Sequence, residues 1–556
     1  MKYLPLVFII LVGFILRFSL LGEVPLSMHR DEAFFGYNAY SILLTGKDIS
    51  GKLLPIHLES FFMSPAGYSY FAVPFLLIFG LSDLAVRLPS AFFGTLTIPL
   101  VYLLTKKLFE KDKNKNILAF FSGALFAVSP WHINLSRVAT ENVIVTFFVV
   151  LGVYFYLIYK KNKKRLNLLA SFLSFGLTLF LYQAPRAFIP LFIPALIFFT
   201  HAKIKLLMGI KIEYLLFILL IIVPIISILM SPELSWRITS LSIFNHTETR
   251  LVLNEQLTTD SVQGLPYIVS RIFHNKLVAF SFLISENFFK HLSFDFLFLD
   301  GGFPDRYRIP RMGLLHLFEL PILLVGFYFI FRNYLRTAIF LSLWITFGII
   351  GSALTWEDIP NLQRILIILP ALVIISGYGA LILYKFILEK KGSIKLTALF
   401  IAIGIIIFSI SYYLVQYYFQ GKVYRTWYRQ DGYEEMVAEV NKLSKHFNYI
   451  EITDRESTPA VFFMYYGKYD PKKLQEETKN LNMVGAGTIT FNKYKFSKEE
   501  CPVRYVYNEL GNKRLVGEKN VLYVNSGLCK EIPAEANIIK TIKRADNSTA
   551  FIILNL

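Results

Sequence analysis

Long apolar runs recur along the whole chain, and the loops between them alternate between lysine-rich and lysine-poor. That alternation constrains the fold more than any other feature. A run of about 20 apolar residues crosses a bilayer as a helix, and short loops rich in Lys and Arg stay on the cytosolic side. The basic loops are KKLFEKDKNK (106–115), KKNKKR (160–165), HAKIKLLMGIK (201–211), RNYLR (332–336) and KFILEKKGSIK (385–395). Between and around them the sequence predicts eleven spans, near 4–21, 88–108, 117–131, 139–159, 166–184, 187–201, 212–231, 313–331, 337–355, 365–384 and 396–416. The N-terminus then lies in the cytosol and everything after the last span lies outside, in a multi-pass protein of the cell membrane. Composition agrees, with 55% hydrophobic residues and a mean hydropathy of +0.51. The net charge of +18 comes from lysines clustered in these loops, which speaks for membrane topology and against a nucleic-acid partner.

One apolar stretch breaks the alternation. AGYSYFAVPFLLIFG (66–80) resembles a span, but a crossing there would turn every later lysine cluster outward. It is also short and carries a proline. It is therefore expected to be a juxtamembrane or re-entrant helix inside a large first outer loop, 22–87. A second long outer loop covers 232–312. The N-terminal run lacks a small-residue cleavage site and is read as an uncleaved first helix rather than a signal peptide. From about 421 the composition turns mixed. YIEIT (449–453), VRYVY (503–507), NVLYVN (520–525) and TAFIILNL (549–556) read as strands and GYEEMVAEVNKLSKHF (432–447) as an amphipathic helix. The expected fold class is thus an all-α polytopic membrane protein over 1–420, with a small extracytoplasmic α/β domain over 421–556. Cys501 and Cys529 both fall in that outer domain, where disulfides are permitted, and are expected to bridge.

The polar residues that carry chemistry collect on the outer side. HRDEAFFGYNAY (29–40) puts Asp31 and Glu32 just outside the first span, where carboxylates are costly unless paired or used. A helix is expected from about Asp31 to Thr45, stopped by Gly46. Acids in a first helical turn favour the dipole, which is the plain explanation of the pair. Neighbouring helical residues point about 100° apart, so the two carboxylates serve different targets. In SPWHINLSRVATEN (129–142), Arg137 and Glu141 stand i, i+4. They either pair on a helix surface or form a unit in which Glu141 orients Arg137 toward an anion. Trp131 reads as an interfacial aromatic, and His132 as a proton carrier or an ordinary boundary histidine. Arg186 and Arg364 lie at outer helix ends, either snorkelling or contributing to an anion site; Arg306, Arg308 and Arg311 fit the same alternatives. No metal-ligand spacing, Walker loop or dinucleotide fingerprint is present. No cofactor is indicated, and the Asp/Glu pair alone is weak evidence for a divalent ion.

Taken together, HRDEAFFGYNAY, AVRLPSAFFGTLTIPLVYLLTKKLF (85–109), SPWHINLSRVATE, YQAPRAFIP (182–190), GLLHLFELPILLVG (313–326) and NLQRILIILP (361–370) resemble the GT-C glycosyltransferases of the protein O-mannosyltransferase and aminoarabinose-transferase type, over roughly 1–385. The resemblance implies a polyprenyl-phosphate-linked sugar donor and an acceptor hydroxyl on a protein, lipid or glycan. It implies inversion at the anomeric carbon at the outer face of the bilayer. It matches Asp31 to the family's catalytic base, Glu32 to its neighbouring acid, and Arg137 and Glu141 to the arginine and acid of the second outer loop. From the reading of the residues themselves, His132, Arg186 and Arg364 join Arg137 and Glu141 as the expected donor-side set. The family's Lys-Pro or His-Pro before the juxtamembrane helix is Ser64-Pro65 here, which removes one expected phosphate contact. A lipid-linked-sugar transporter or flippase is the alternative. Such a protein would carry broken, charged helices at mid-membrane and repeat symmetry, and neither is evident.

Overall fold

The computed structural model describes residues 4–200 except 62, scattered positions between 215 and 226, and 239–556 except 456, 482, 484–488 and 508–511. The basic loop 201–211 and most of the span expected near 212–231 lie outside the described residues. The chain is mostly helical. Helices run over Leu4–Phe18 (α1), Arg30–Thr45 (α2), Gly67–Phe79 (α3), Asp83–Leu108 (α4), Lys115–Val128 (α5), Pro130–Ser136 (α6), Glu141–Asn162 (α7), Arg165–Leu181 (α8) and Ala184–Thr200 (α9). Later ones include Glu319–Asn333, Leu335–Ala353, Leu369–Leu388 and Gly392–Val415.

Among the described residues, six helical stretches are long and apolar enough to cross a membrane, or seven if α5 and α6, bent by 53°, count as one span. This is a multi-pass membrane architecture. Several expected spans are short: α1, α8, α9 and Glu319–Asn333 have 15, 17, 17 and 15 residues, below the roughly 20 of an upright crossing. Helix α3 has 13 residues, about 20 Å of helix, with Pro74 inside it. Within the segment read as the second outer loop, Tyr267–Asp300 is helical and apolar enough to cross. The sequence reading saw no helix there, because its polar residues Ser285, Glu286, Asn287 and Lys290 mask the periodicity.

The chain divides into two compact units. One comprises Met1–Leu16, Phe93–Leu135 and Asn142–Tyr413; the other comprises Arg17–Phe92, Ser136–Glu141 and Leu414–Leu556. In the first, helices Glu319–Asn333 and Leu369–Leu388 approach until backbones touch. A Cβ at Gly326 would lie 2.0 Å from the Ile375 carbonyl, and one at Gly379 1.9 Å from that of Ile322. Small residues at such a contact are how helices gain packing energy where water supplies no hydrophobic drive.

The second unit joins the first outer loop to the C-terminal α/β region. Two short strands, His57–Leu58 (β1) and Ser64–Pro65 (β2), pair in the loop. The C-terminal strands are Tyr449–Thr453 (β3), Ile489–Phe491 (β4), Tyr494–Ser497 (β5), Arg504–Tyr507 (β6), Lys513–Val516 (β7), Val521–Ser526 (β8), Asn537–Lys543 (β9) and Thr549–Asn555 (β10). Six of them form a sheet in the order β4-β5-β3-β8-β10-β9, while β6 and β7 make a separate hairpin. Strand β3 is parallel to both β5 and β8; the outer pairings are antiparallel. Helix Tyr433–Leu443 buries Met436, Val437 and Val440, an i, i+1, i+4 stripe. Cys501 and Cys529 are joined in a disulfide, with Cα atoms 5.8 Å apart.

Candidate active site

Helix α2 begins inside the HRDE motif. His29 is its N-cap: Nδ1 accepts from the Asp31 amide at 3.2 Å, and Glu32 Oε1 accepts from the His29 amide at 3.2 Å. This is a capping box with histidine in place of the usual Ser or Thr. The helix ends at Gly46, in the left-handed region at φ 71°, where a residue without Cβ is favoured. On its buried side, Gly36 lets α2 close on its neighbours, since a Cβ there would meet Val86 at 2.6 Å and the Tyr465 ring at 2.9 Å.

The two carboxylates have different surroundings. Glu32 is 1% exposed, and its Oε2 accepts from Arg87 Nε at 3.1 Å and from the Ala139 amide at 2.8 Å. With the His29 amide, three donors converge on its two oxygens. Arg87, 0% exposed, spends its other N–H groups on the carbonyls of Leu21 (3.2 Å), Pro25 (2.9 Å) and Ser27 (2.9 Å). One buried ion pair thus fixes the turn before HRDE, the start of α2 and the 136–141 segment together. Asp31 faces the other way, with its side chain 26% exposed. His29 Nδ1 lies at 3.4 Å and Arg30 Nε at 3.7 Å from its oxygens. Arg30 is the more open of these two residues, at 42% side-chain exposure.

Arg137 is wholly buried. Its guanidinium donates to the carbonyls of Val24 (3.0 Å) and Leu20 (3.4 Å), and Tyr417 and Tyr418 lie with ring centres 5.4 and 5.1 Å away. Those tyrosines come from a π-helical turn, Gln416–Gln420, the kind of helix irregularity that often accompanies functional sites. Arg137 lies in the bend between α6 and α7, and Glu141 opens α7, so the two do not share a helix face as an i, i+4 pair would. The backbone of 136–141 turns away to let Ala139 reach Glu32.

The remaining expected residues belong to the other unit. His132 is buried, its ring 4.3 Å from that of Phe126. Trp131 is not an interfacial anchor: it is 1% exposed, and its indole N–H donates to the Leu362 carbonyl at 2.8 Å, which removes the reason to sit at a wet boundary. Arg186 donates to the Leu179 carbonyl at 3.3 Å. Arg364 donates to Thr355 Oγ1 and to the Glu357 carbonyl, both at 2.7 Å, bracing its own loop. Arg308 pairs with Asp300 and Asp305. Arg311 is exposed at the rim of an apolar cavity of about 680 Å³ lined by Phe298, Met312, Ile322, Leu383 and Ile405 among others. Among the described residues no group of three or more His, Cys, Asp and Glu side chains converges as a metal site.

Arg87 is the residue the sequence reading missed. Its signal was an arginine one turn into a 26-residue apolar helix, a position at which a charge needs a partner.

Residues 64–229 match the dolichyl-phosphate-mannose-protein mannosyltransferase family. In three dimensions the whole chain follows ArnT from Cupriavidus metallidurans. The form bound to undecaprenyl phosphate superposes with a TM-score of 0.53 at 12% identity, covering 99% of this chain and 97% of that one. The apo form gives 0.51 at 10%, with the same coverage. The fold is that of the GT-C glycosyltransferases. The Archaeoglobus fulgidus oligosaccharyltransferase, in complex with Zn and sulfate, shares this GT-C architecture at a TM-score of 0.51 and 13% identity, over 98% of this chain and 76% of that one. No curated protein matches the chain by sequence. The shared fold accounts for the long helices, and at 10–13% identity it carries no residue role across to this chain.

Proposed function

We propose that the protein is an inverting glycosyltransferase that moves a sugar from a polyprenyl-phosphate donor to an acceptor hydroxyl on the extracytoplasmic face, with Asp31 as general base. The observation that carries this is the division of labour within the DE pair. Glu32 is saturated by three donors, whereas the Asp31 side chain is 26% exposed, with Arg30 Nε 3.7 Å away. In one step the acceptor O–H gives its proton to the Asp31 carboxylate as its oxygen attacks the anomeric carbon. The bond from that carbon to the phosphate oxygen breaks, and the electron pair leaves with the polyprenyl phosphate. Positive charge beside the leaving phosphate lowers the barrier most, and inversion puts that phosphate on the face opposite the base. Arg30, next to Asp31, therefore stands on the acceptor side and is read as orienting the base. Arg137, expected at the phosphate, is read instead as holding the 20–24 turn, and Glu32 and Arg87 as positioning residues. Arg186 and Arg364 act as loop anchors. The lysine-rich loops support a cytosolic N-terminus and an outer C-terminal domain. Residues 1–420 form the catalytic part in this reading.

The test is consumption of a mannosyl polyprenyl phosphate by purified protein in detergent, with no gradient present. A glycosyltransferase releases or transfers the sugar; a flippase leaves the donor intact. Asp31→Asn keeps the shape and removes the base, so turnover should fall about 10²–10⁴-fold with the fold preserved. Near-normal transfer by this variant would remove Asp31 from the role.

A further inference from the structure

The C-terminal domain meets HRDE with one particular edge. Strand β3 lies between β5 and β8, parallel to both, and Thr453 pairs with Ser497 at the ends of β3 and β5. The next residues, Asp454 and Lys498, therefore stand side by side beyond the carboxyl ends of two parallel strands. Open α/β sheets bind their ligands in the crevice outside those ends, where the chain departs to either flank. Here the chain leaves β3 for β4 and β5 on one side and returns to β8 on the other. This edge lies against the start of α2. The Arg30 amide donates to Gln430 Oε1 at 2.6 Å, the Gln430 amide group meets Ser457 Oγ, and Ser27 Oγ donates to Asp431 Oδ1 at 2.8 Å. Asp431 is itself fixed by the Ala545 amide at 2.6 Å.

We propose that Asp454 and Lys498, with Gln430 and Ser457, form the acceptor subsite beside Asp31, and that it takes the hydroxyl groups of a saccharide or polyol. The set matches that ligand: a carboxylate that accepts from hydroxyls, an ammonium that donates to them, and an amide and a hydroxyl that do both. The described residues just after β3 (Asp454, Arg455 and Ser457) are polar, which suits hydroxyl groups better than an apolar peptide side chain. Asp454 is also kept at a cost. Its Oδ1 is buried with no hydrogen-bond partner among the described residues, and burial pushes its carboxyl up to about 7 despite the charges of Lys498 and Arg30. A group left unsatisfied in a folded domain is what a site waiting for its ligand looks like. Arg30 stands beside Asp31, and its charge also acts on Asp454, so one guanidinium serves both the base and the acceptor wall.

The subsite rests on the glycosyl-transfer reading above, and one experiment separates the two. Purified full-length protein receives mannosyl polyprenyl phosphate with methyl α-mannoside in water, and the ratio of disaccharide to free mannose is measured. The ratio reports acceptor capture against water and is independent of overall rate. Asp454→Asn should lower it at least tenfold. Lys498→Gln, at an exposed position where folding is safe, should lower it about threefold. A ratio unchanged in both variants overturns the subsite while leaving the transferase standing. A serine peptide whose glycosylation falls when that of methyl α-mannoside does not would also overturn it. If the unmodified protein consumes no donor, the transferase reading falls and takes the subsite with it.

Discussion

The surroundings of Glu32 and the cavity under Arg311 are built on opposite rules. Around Glu32, four N–H groups of Arg87 and two backbone amides meet one carboxylate and three carbonyls. In the cavity, Phe298, Met312, Ile322, Leu383 and Ile405 present carbon, and only a few lining residues, such as Arg311 and Ser409, are polar. A low dielectric strengthens a fully paired network and penalises a partly paired one. The first region is therefore rigid and intolerant of change, and suited to holding a base at a fixed angle. The second gains little from any single contact. The contrast predicts that substitutions in the two regions fail in different ways.

The sharpest break separates Asp31 from its neighbour. Asp31→Asn should cost the 10²–10⁴-fold in turnover given above with no loss of thermal stability, since this side chain is part-exposed. Arg87→Met should do the reverse. It leaves the Glu32 carboxylate buried without its ion partner, and breaking a buried pair from one side typically costs about 3–5 kcal/mol. The protein should melt early or fail to accumulate, and Arg87→Met combined with Glu32→Met should recover much of the loss. If Arg87→Met were as stable as the parent, the view of Glu32 as a scaffold residue would be wrong.

How far this was legible in the sequence follows the range of the interactions. Helix α2 and its stop at Gly46 were readable, since acids in a first turn and a glycine after the last are local signals. So were β3, β8 and β10, short β-branched and aromatic runs between turn residues. Pro459–Tyr466 was not, because PAVFFMYY is buried on nearly all sides and shows no helical period. The partner of Glu32 was not readable either: Arg87 lies 55 residues away, and nothing local ties the two together. Trp131 misled for a related reason. Tryptophan is common at membrane boundaries, and only the fold reveals the Leu362 carbonyl that allows this one to be buried.

Two smaller effects sharpen the contrast. The Cys501–Cys529 bridge closes a loop of 28 residues, and its loss by double Ser substitution should destabilise the C-terminal region by about 3 kcal/mol on chain-entropy grounds. Two thiols titrating in freshly purified, non-reduced protein would show that no bridge forms. In the cavity, Ile405→Trp narrows the space at a position already 47% exposed. It should leave the melting temperature nearly unchanged, in contrast to Arg87→Met. A fall of many degrees would mean that the cavity wall is packed as tightly as the Glu32 network.

The smallest effect is the most diagnostic, because its sign depends on pH. Burial raises the Asp454 carboxyl from 3.8 to about 7, so between those values the folded protein holds a proton that the unfolded chain has released. Folding is then favoured most below about pH 4. Stability falls as pH rises through the folded value, and the change is complete above about 7. An asparagine side chain at this position would carry no charge at any pH and would escape this loss. Asp454→Asn should therefore match the parent in thermal stability near pH 4 and exceed it by a few degrees at pH 8, the gap opening between the two. A residue that destabilises the fold at working pH while supporting acceptor capture is kept for the reaction and not for packing. An Asp454→Asn variant less stable than the parent at pH 8 would mean that the carboxylate has a partner in the fold and that Asp454 is an ordinary structural acid.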